Sequence, residues 1–164
     1  MVTADELIRE LGLKPHPEGG FYRETYRSTV TLPGATLGAP GDRSAGTAIY
    51  FLLTPGDVSH FHRLRYDEVF HFYMGDSVLW MILHPDGLLE ERFLGPLGPD
   101  GQEPQWVVPA GCWFGGFLVE GGAYALMGTT MAPGFDFTDF ELADRRDLLK
   151  RFPHAEQEIL RLTR

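Results

Sequence analysis

His60 and His62 are two positions apart in the chain and are followed by Glu68, then by His71 and Tyr73. Residues two apart on a strand share a face, so His60 and His62 are expected to point the same way. With Glu68 they offer two imidazoles and a carboxylate, a donor set that suits Zn, Fe or Mn. The same residues suit proton transfer. A histidine, with an unperturbed pKa of about 6.5, accepts a proton from a carbon acid or hydroxyl, and a carboxylate in the same pocket stabilises the imidazolium and raises its pKa. In that role His62 is the general base, Glu68 orients or assists it, and a phenol, Tyr26 or Tyr73, returns the proton. The plainer reading leaves one histidine at the surface or in the core and the other hydrogen-bonding in a pocket. Glu68 and His71 differ by three, so an unbroken strand that turns Glu68 inward turns His71 and Tyr73 outward, toward a sheet or dimer interface. A bulge would reverse that.

A second group lies near the N-terminus, where Glu18, Arg23, Glu24 and Tyr26 flank Gly19-Gly20. Paired glycines let a backbone approach a ligand closely, and the forked donors of Arg23 suit a carboxylate or phosphate. On a solvated strand the same charges form a surface ion pair worth little. Cys112 has no visible base or depressed pKa and reads as an inert buried thiol. Aromatic residues make up 13% of the chain. Most of them fill the core, and one or two are expected to form a wall against a planar or sugar ring.

These groups need a scaffold, and the composition limits what it is. The chain has 164 residues, 43% of them hydrophobic and 23% charged, which gives a single domain with room for a full core. The net charge of -9 opposes nucleic-acid binding but allows a small anion held by local arginines. A single cysteine excludes an internal disulfide and any cysteine-based zinc cluster. Apolar runs such as Ala48 to Leu53 are far short of a membrane span, and the first residues show no secretory pattern. A cytoplasmic protein with no membrane partner is expected.

Thr3 and Glu6 form a capping box ahead of Leu7, Ile8 and Leu11, which predicts a short helix ended by Gly12. From Phe21 to Val30 the pattern is strand-like, with Tyr22, Glu24 and Tyr26 on one face and Arg23, Thr25 and Arg27 on the other. Pro33 to Gly46 reads as a surface loop. From Thr47 to Thr130, short apolar runs alternate with Gly/Pro/Asp turns, as an all-β sandwich or barrel requires. Asp144 then caps a helix over Arg145 to Phe152, and Pro153 opens a final helix carrying Ile159 and Leu160.

The spacing Gly56, five residues, His62, then Glu68 and Gly75 resembles the first motif of the cupin superfamily, except that its second histidine falls on Leu64. Pro109-Ala110-Gly111 resembles the second motif, with Phe114 where that motif has histidine. The segments Pro15 to Arg27, His62-Arg63 with Asp67-Glu68 and His71 to Tyr73, Val108 to Gly111, Ala132 to Phe137 and Asp139 to Leu142 look like the cupin_5 group. The likeness covers about Leu7 to Thr163. It implies a jelly-roll barrel, usually a homodimer, with a pocket comparable to those of sugar-nucleotide epimerases. It puts only His62 and Glu68 on metal-ligand positions, and it implies no particular reaction.

The expectation is an all-β, cupin-type jelly-roll barrel over about 21–130, with peripheral helices at both ends, the last at about 144–161. Its function is to bind a small sugar-like or otherwise polar molecule, acting as a metal-independent isomerase or epimerase. A non-catalytic binding barrel is the alternative. A metal-dependent oxygenase using His60, His62 and Glu68 comes after it. Glu18, Arg23, Glu24, His71 and Phe114 are the expected ligand contacts. No cofactor is expected unless His60 completes a divalent-metal site, and a homodimer is the expected assembly.

Overall fold

The structure, a computed structural model, describes residues 2–164. Eleven strands form two larger sheets. One sheet runs, in spatial order, Lys14–Pro15, Phe21–Arg27, Thr47–Leu53, Ala125–Met131, Glu68–Gly75 and Gln105–Val108. The other runs Phe140–Leu142, Val58–Leu64, Trp113–Leu118, Val78–Leu83 and Leu89–Leu94. All neighbouring strands are antiparallel. The two sheets face one another and do not close into one continuous hydrogen-bonded cylinder, so the expected closed barrel is instead a pair of facing sheets.

Alternation along the strands explains the packing. Phe51, Leu53, Phe70, Trp80, Ile82, Phe114 and Met127 come from both sheets and meet in one buried core between them. The intervening residues of Val78–Leu83 are also apolar, because Met81 and Leu83 are covered by the C-terminal helices through Leu148, Phe152, Ile159 and Leu162. A strand buried on both faces has no polar side to show. At the N-terminus the capping box forms, with Thr3 N–H donating to Glu6 and Glu6 N–H to the Thr3 hydroxyl, and helix Ala4–Leu11 lays Leu7 on Leu52 and Leu126. Asp144 caps helix Arg145–Arg151, and Pro153 opens a single 3-10 turn before helix Glu156–Leu162.

Two bulges decide which side chains face inward. Opposite Thr47–Leu53, the register shifts between Glu24 and Tyr26. Tyr22 and Glu24 therefore share the inner face with Arg27, while Tyr26 turns outward, against the expected grouping. Opposite Trp113–Leu118, Phe114 pairs with His62 and Gly116 with Ser59, so Val58–Leu64 carries an extra residue at His60-Phe61. Ser59 and His62 thus both face inward, and His60 does not share the face of His62.

The segment expected to be a plain loop over Pro33 to Gly46 has structure of its own. It holds helix Gly34–Leu37 and a small ribbon pairing Thr31–Leu32 with Arg43–Ser44. Arg43 fastens it to the turn Phe137–Asp139 through two bonds to Asp139, at 2.6 and 3.0 Å, with Arg65 adding a third at 2.8 Å.

Candidate active site in the cavity between the sheets

A cavity of about 460 Å³ opens between the two sheets. Its buried end is titratable, its walls are aromatic and its mouth is charged.

Glu18 reaches the buried end because of the turn that follows it. Gly19 and Gly20 both adopt positive φ, and a side chain at Gly19 would collide with the Val58 carbonyl oxygen. The close approach that the glycines permit is therefore to the chain's own strand. It is sealed by His60 N–H donating to the Glu18 carbonyl at 2.8 Å and by His60 Nδ1–H donating to the same oxygen at 2.6 Å. His60 is thereby occupied outside the cavity lining, and the set His60, His62, Glu68 is not assembled. Among the described residues no three His, Cys, Asp or Glu groups stand where they would hold one metal ion.

The Glu18 carboxyl is 7% exposed and accepts from Ser59 Oγ at 2.9 Å. Its other oxygen, Oε2, lies 3.2 Å from His16 Nδ1 and 3.3 Å from His62 Nε2. Neighbouring bonds fix both tautomers. His62 Nδ1 faces the His60 carbonyl at 2.8 Å, and a carbonyl only accepts, so Nδ1 carries the hydrogen and Nε2 is bare. His16 Nδ1 accepts from Glu18 N–H at 3.2 Å and is bare as well. The His62 lone pair thus faces a carboxyl oxygen, an arrangement satisfied when that oxygen carries a proton, while His16 spends its Nδ1 lone pair on the Glu18 N–H.

The electrostatics agree. Burial, and then the charge of Glu68, push the Glu18 carboxyl well above its ordinary range, opposed by the Ser59 bond. Burial brings His62 down to about 3 and His16 to about 4. The expected rise of the His62 pKa is therefore reversed, because desolvation of the imidazolium outweighs the bond to the His60 carbonyl and His16 and His60 lower it further. Glu68, also buried, is pushed up to about 7 by burial against a hydrogen bond from Thr129.

The walls come largely from residues that sequence reasoning passed over. Phe135, Phe137 and Phe140 pack edge to face, with centroids 4.9 to 6.3 Å apart, and Phe140 lies 5.4 Å from His62 and 5.8 Å from His16. Arg27 joins this hood to the opposite strand, donating to both Glu24 oxygens and to the Phe135 carbonyl. His16 also went unassigned, although it stands in the same Pro15 to Arg27 segment as Glu18.

Of the expected site residues, the cavity brings together Glu18, Glu24, His62 and Glu68, whereas Arg23 reaches only its rim and lays its guanidinium over Tyr50 on the outer face of the sheet. Tyr26 and Tyr73 lie outside it, 57% and 49% exposed on the outer face of the six-stranded sheet, so neither can return a proton there. His71 shares that outer face, bonded to Thr130 and Gln105. Phe114 is a backing residue and makes no part of the lining. It is 1% exposed and packs 4.0 Å behind the His62 ring. Cys112 is buried as expected, yet a base does lie beside it. Its sulfur is 3.5 Å from His84 Nδ1, and His84 meets Glu90, but burial and nearby carboxylates push the thiol pKa up.

A family model described as the cupin superfamily (DUF985), Cupin_5, matches residues 5–143. The uncharacterized protein YML079W of Saccharomyces cerevisiae is 30% identical over 94% of this chain and 82% of its own. The crystal structure of protein SO0799 from Shewanella oneidensis superposes with a TM-score of 0.91 at 39% identity, covering 100% of this chain and 99% of that one. A hypothetical protein from Leishmania major superposes with a TM-score of 0.90 at 32% identity, covering 99% of each.

Proposed function

The chain belongs to the Cupin_5 family of the cupin superfamily, and on that premise we propose that its jelly-roll cavity binds a small sugar-like or otherwise polar molecule and moves a proton on it, as an isomerase or epimerase does. The observation that carries this reading is the buried Glu18 carboxyl facing the bare Nε2 of His62 in a cavity that also contains Glu68. Such chemistry needs one group to take a proton and another to return one. Glu68, titrating near neutrality, is matched to the first task. Glu18, kept protonated, is matched to the second, with His62 Nε2 accepting and orienting its hydrogen. Two carboxyls whose surroundings set them in different protonation states supply the acid and base assignments. His62 thus becomes an orienting partner and proton acceptor for Glu18, and the phenols drop out. The aromatic hood supplies a face for a ring and keeps water from the reacting end.

The test is a panel of sugar phosphates, nucleotide sugars and hydroxy acids incubated in deuterated water, with incorporation at carbon read by NMR. Wild type is expected to exchange a substrate hydrogen, and Glu68→Gln and Glu18→Gln each to lose that exchange at least a hundredfold while still binding. Binding to wild type without exchange supports the non-catalytic barrel instead. Exchange that survives both carboxyl variants but not His62→Ala returns the base to His62.

We also propose a homodimer. Tyr26, Tyr73 and Val107 are 57%, 49% and 43% exposed on the outer face of the six-stranded sheet, where no helix lies over them. Light scattering at twice the chain mass, falling to one chain in the variant Tyr26→Glu/Tyr73→Glu, is the expected result.

A further inference from the structure

With the cavity taken as the ligand site, as proposed above, we infer that its ligand carries a positively charged nitrogen that lies within the aromatic hood and against Glu68. This narrows the sugar-like ligand to one that bears an amine. The cations of the lining are spent elsewhere. Arg23 turns to the outer face of the sheet, its guanidinium carbon 5.6 Å from the Tyr50 centroid, so the forked donors expected to take an anion do not reach inside. Arg27 is held by both Glu24 oxygens and by the Phe135 carbonyl. Lys14 is exposed, its Nζ 5.2 Å from the Tyr22 centroid, and Asp136 in the same lining carries the opposite charge.

Glu18 and Glu68 are the buried carboxyls of the cavity. Among the described residues neither forms an ion pair with a lysine or arginine, and Glu18 meets only the neutral rings of His16 and His62. Besides burial, Glu18 responds to the charge of Glu68 and to the Ser59 hydroxyl, and Glu68 to the Thr129 hydroxyl. A buried carboxylate without a cation is costly, and two in one space repel each other. Glu18 avoids that cost by holding its proton toward His62 Nε2. Glu68 is the carboxyl left to ionise, and a cation on the ligand is the partner it lacks. Away from water that attraction is stronger than at the surface, and an anion in the same place is repelled.

The walls suit the same charge. Phe135, Phe137 and Phe140 form one side of the enclosure, and His16 joins it to the other, stacking on Phe137 at 6.3 Å and standing edge-on to Tyr22 at 4.5 Å. Ring faces attract a cation, and the Lys14 ammonium already makes such a contact with Tyr22. Burial keeps His16 neutral, so the enclosure adds no positive charge of its own. A cationic nitrogen beside the reacting carbon also stabilises the electron pair left there when Glu68 takes the hydrogen as a proton, and its field keeps Glu68 ionised beforehand. The contact that selects the ligand thus assists the proposed proton transfer.

Calorimetry at neutral pH and low salt, with two series of probes matched in ring, tests this. One series is glucosamine, glucose and glucuronate; the other is cyclohexylammonium, cyclohexanol and cyclohexanecarboxylate. In at least one series the ammonium member is expected to bind wild type at least tenfold more tightly than the neutral member, and the carboxylate member more weakly than either. Glu68→Gln keeps the shape of the side chain and is expected to lose the tenfold preference. It is expected to melt no lower than wild type, so that loss reports the missing charge. Phe137→Leu, which keeps an apolar wall but removes a ring face, is expected to lose part of the preference. A neutral member that binds as tightly as its ammonium counterpart in every series that binds, or a preference that survives Glu68→Gln, overturns the inference and leaves the cavity as a binding site. A preference for cyclohexylammonium with no sugar bound keeps the cation contact and removes the sugar-like ligand. Failure of every probe to bind wild type removes both.

Discussion

Glu18 Oε2 stands 3.3 Å from His62 Nε2, and this contact joins the N-terminal turn to the bulged strand Val58–Leu64. Its consequence is a defined pair of tautomers. His62 is expected to be neutral with its hydrogen on Nδ1, and His16 neutral with its hydrogen on Nε2, each remaining so down to acid pH because burial lowers their pKa values to about 3 and about 4. Nitrogen-detected NMR of the imidazoles at neutral pH distinguishes these forms. Glu18→Gln keeps a donor facing His62 Nε2 and the backbone N–H that His16 accepts from, and should preserve both tautomers. An imidazolium signal from either ring at pH 7 would show that the shared proton sits on histidine.

Glu68 gives the chain a second, opposite pH dependence. Its carboxyl is held up to about 7 against an ordinary 4.5, so between those values the folded chain keeps a proton that the unfolded chain has released. Stability contributed here falls as pH rises through that window. His16 and His62 act the other way, since their lowered values make the unfolded chain the better proton binder below 6.5. The two trends offset each other in the wild type, and a difference measurement separates them. Glu68→Gln should gain on wild type by roughly 3 kcal/mol between the two Glu68 values and stay level above them. Urea denaturation of both proteins across pH reads this directly, and a gap that does not change with pH would refute it.

How much of this was legible in the sequence depends on the bulges. Strand alternation correctly turned Glu68 inward and His71 and Tyr73 outward, because Glu68 through His71 is an unbroken stretch. The same alternation failed at Thr25 and at His60-Phe61, where one extra residue reverses the parity of everything beyond it. Thus Tyr26 left the pocket and Arg27 entered it, and His60 parted from His62. Glu18 could be singled out from the residues around Gly19-Gly20, but its partners could not. His16 and His62 meet there only because of the tertiary packing of the turn against Val58. Phe135, Phe137 and Phe140 arrive from far along the chain, and no local pattern marks them as a wall.

The ion pair of Arg43 with Asp139 is expected to govern the mouth of the cavity. Their side chains are 4% and 1% exposed, and together they tie the Gly34–Leu37 region to the turn that leads into Phe140. Removing one partner strands a buried charge, so Asp139→Ala should cost about 3–5 kcal/mol in denaturant unfolding. Hydrogen exchange should quicken first along Phe135 to Phe140, before the central strands. Equal protection of that stretch in variant and wild type would separate the ion pair from the hood.

Metal content is the remaining point on which the resemblance and the structure bear together. Leu64 and Phe114 occupy two positions where the cupin motifs carry histidine, and neither side chain can donate to a metal. His60 does not replace them, because the bulge at His60-Phe61 turns it off the face that His62 shows to the cavity. His62 presents one bare nitrogen, but that nitrogen faces Glu18. A divalent ion would have to displace the shared proton and make do with few donors, so wild type is expected to hold clearly less than one Zn, Fe or Mn per chain after dialysis. Chelator treatment is expected to leave its melting temperature unchanged. Phe114→His should raise zinc affinity at least tenfold, since position 114 pairs with His62 across the sheet and its present ring lies 4.0 Å from the imidazole. Elemental analysis and isothermal titration measure both. One tightly held ion per wild-type chain, lost in His62→Ala, would overturn this expectation and bring the oxygenase reading forward.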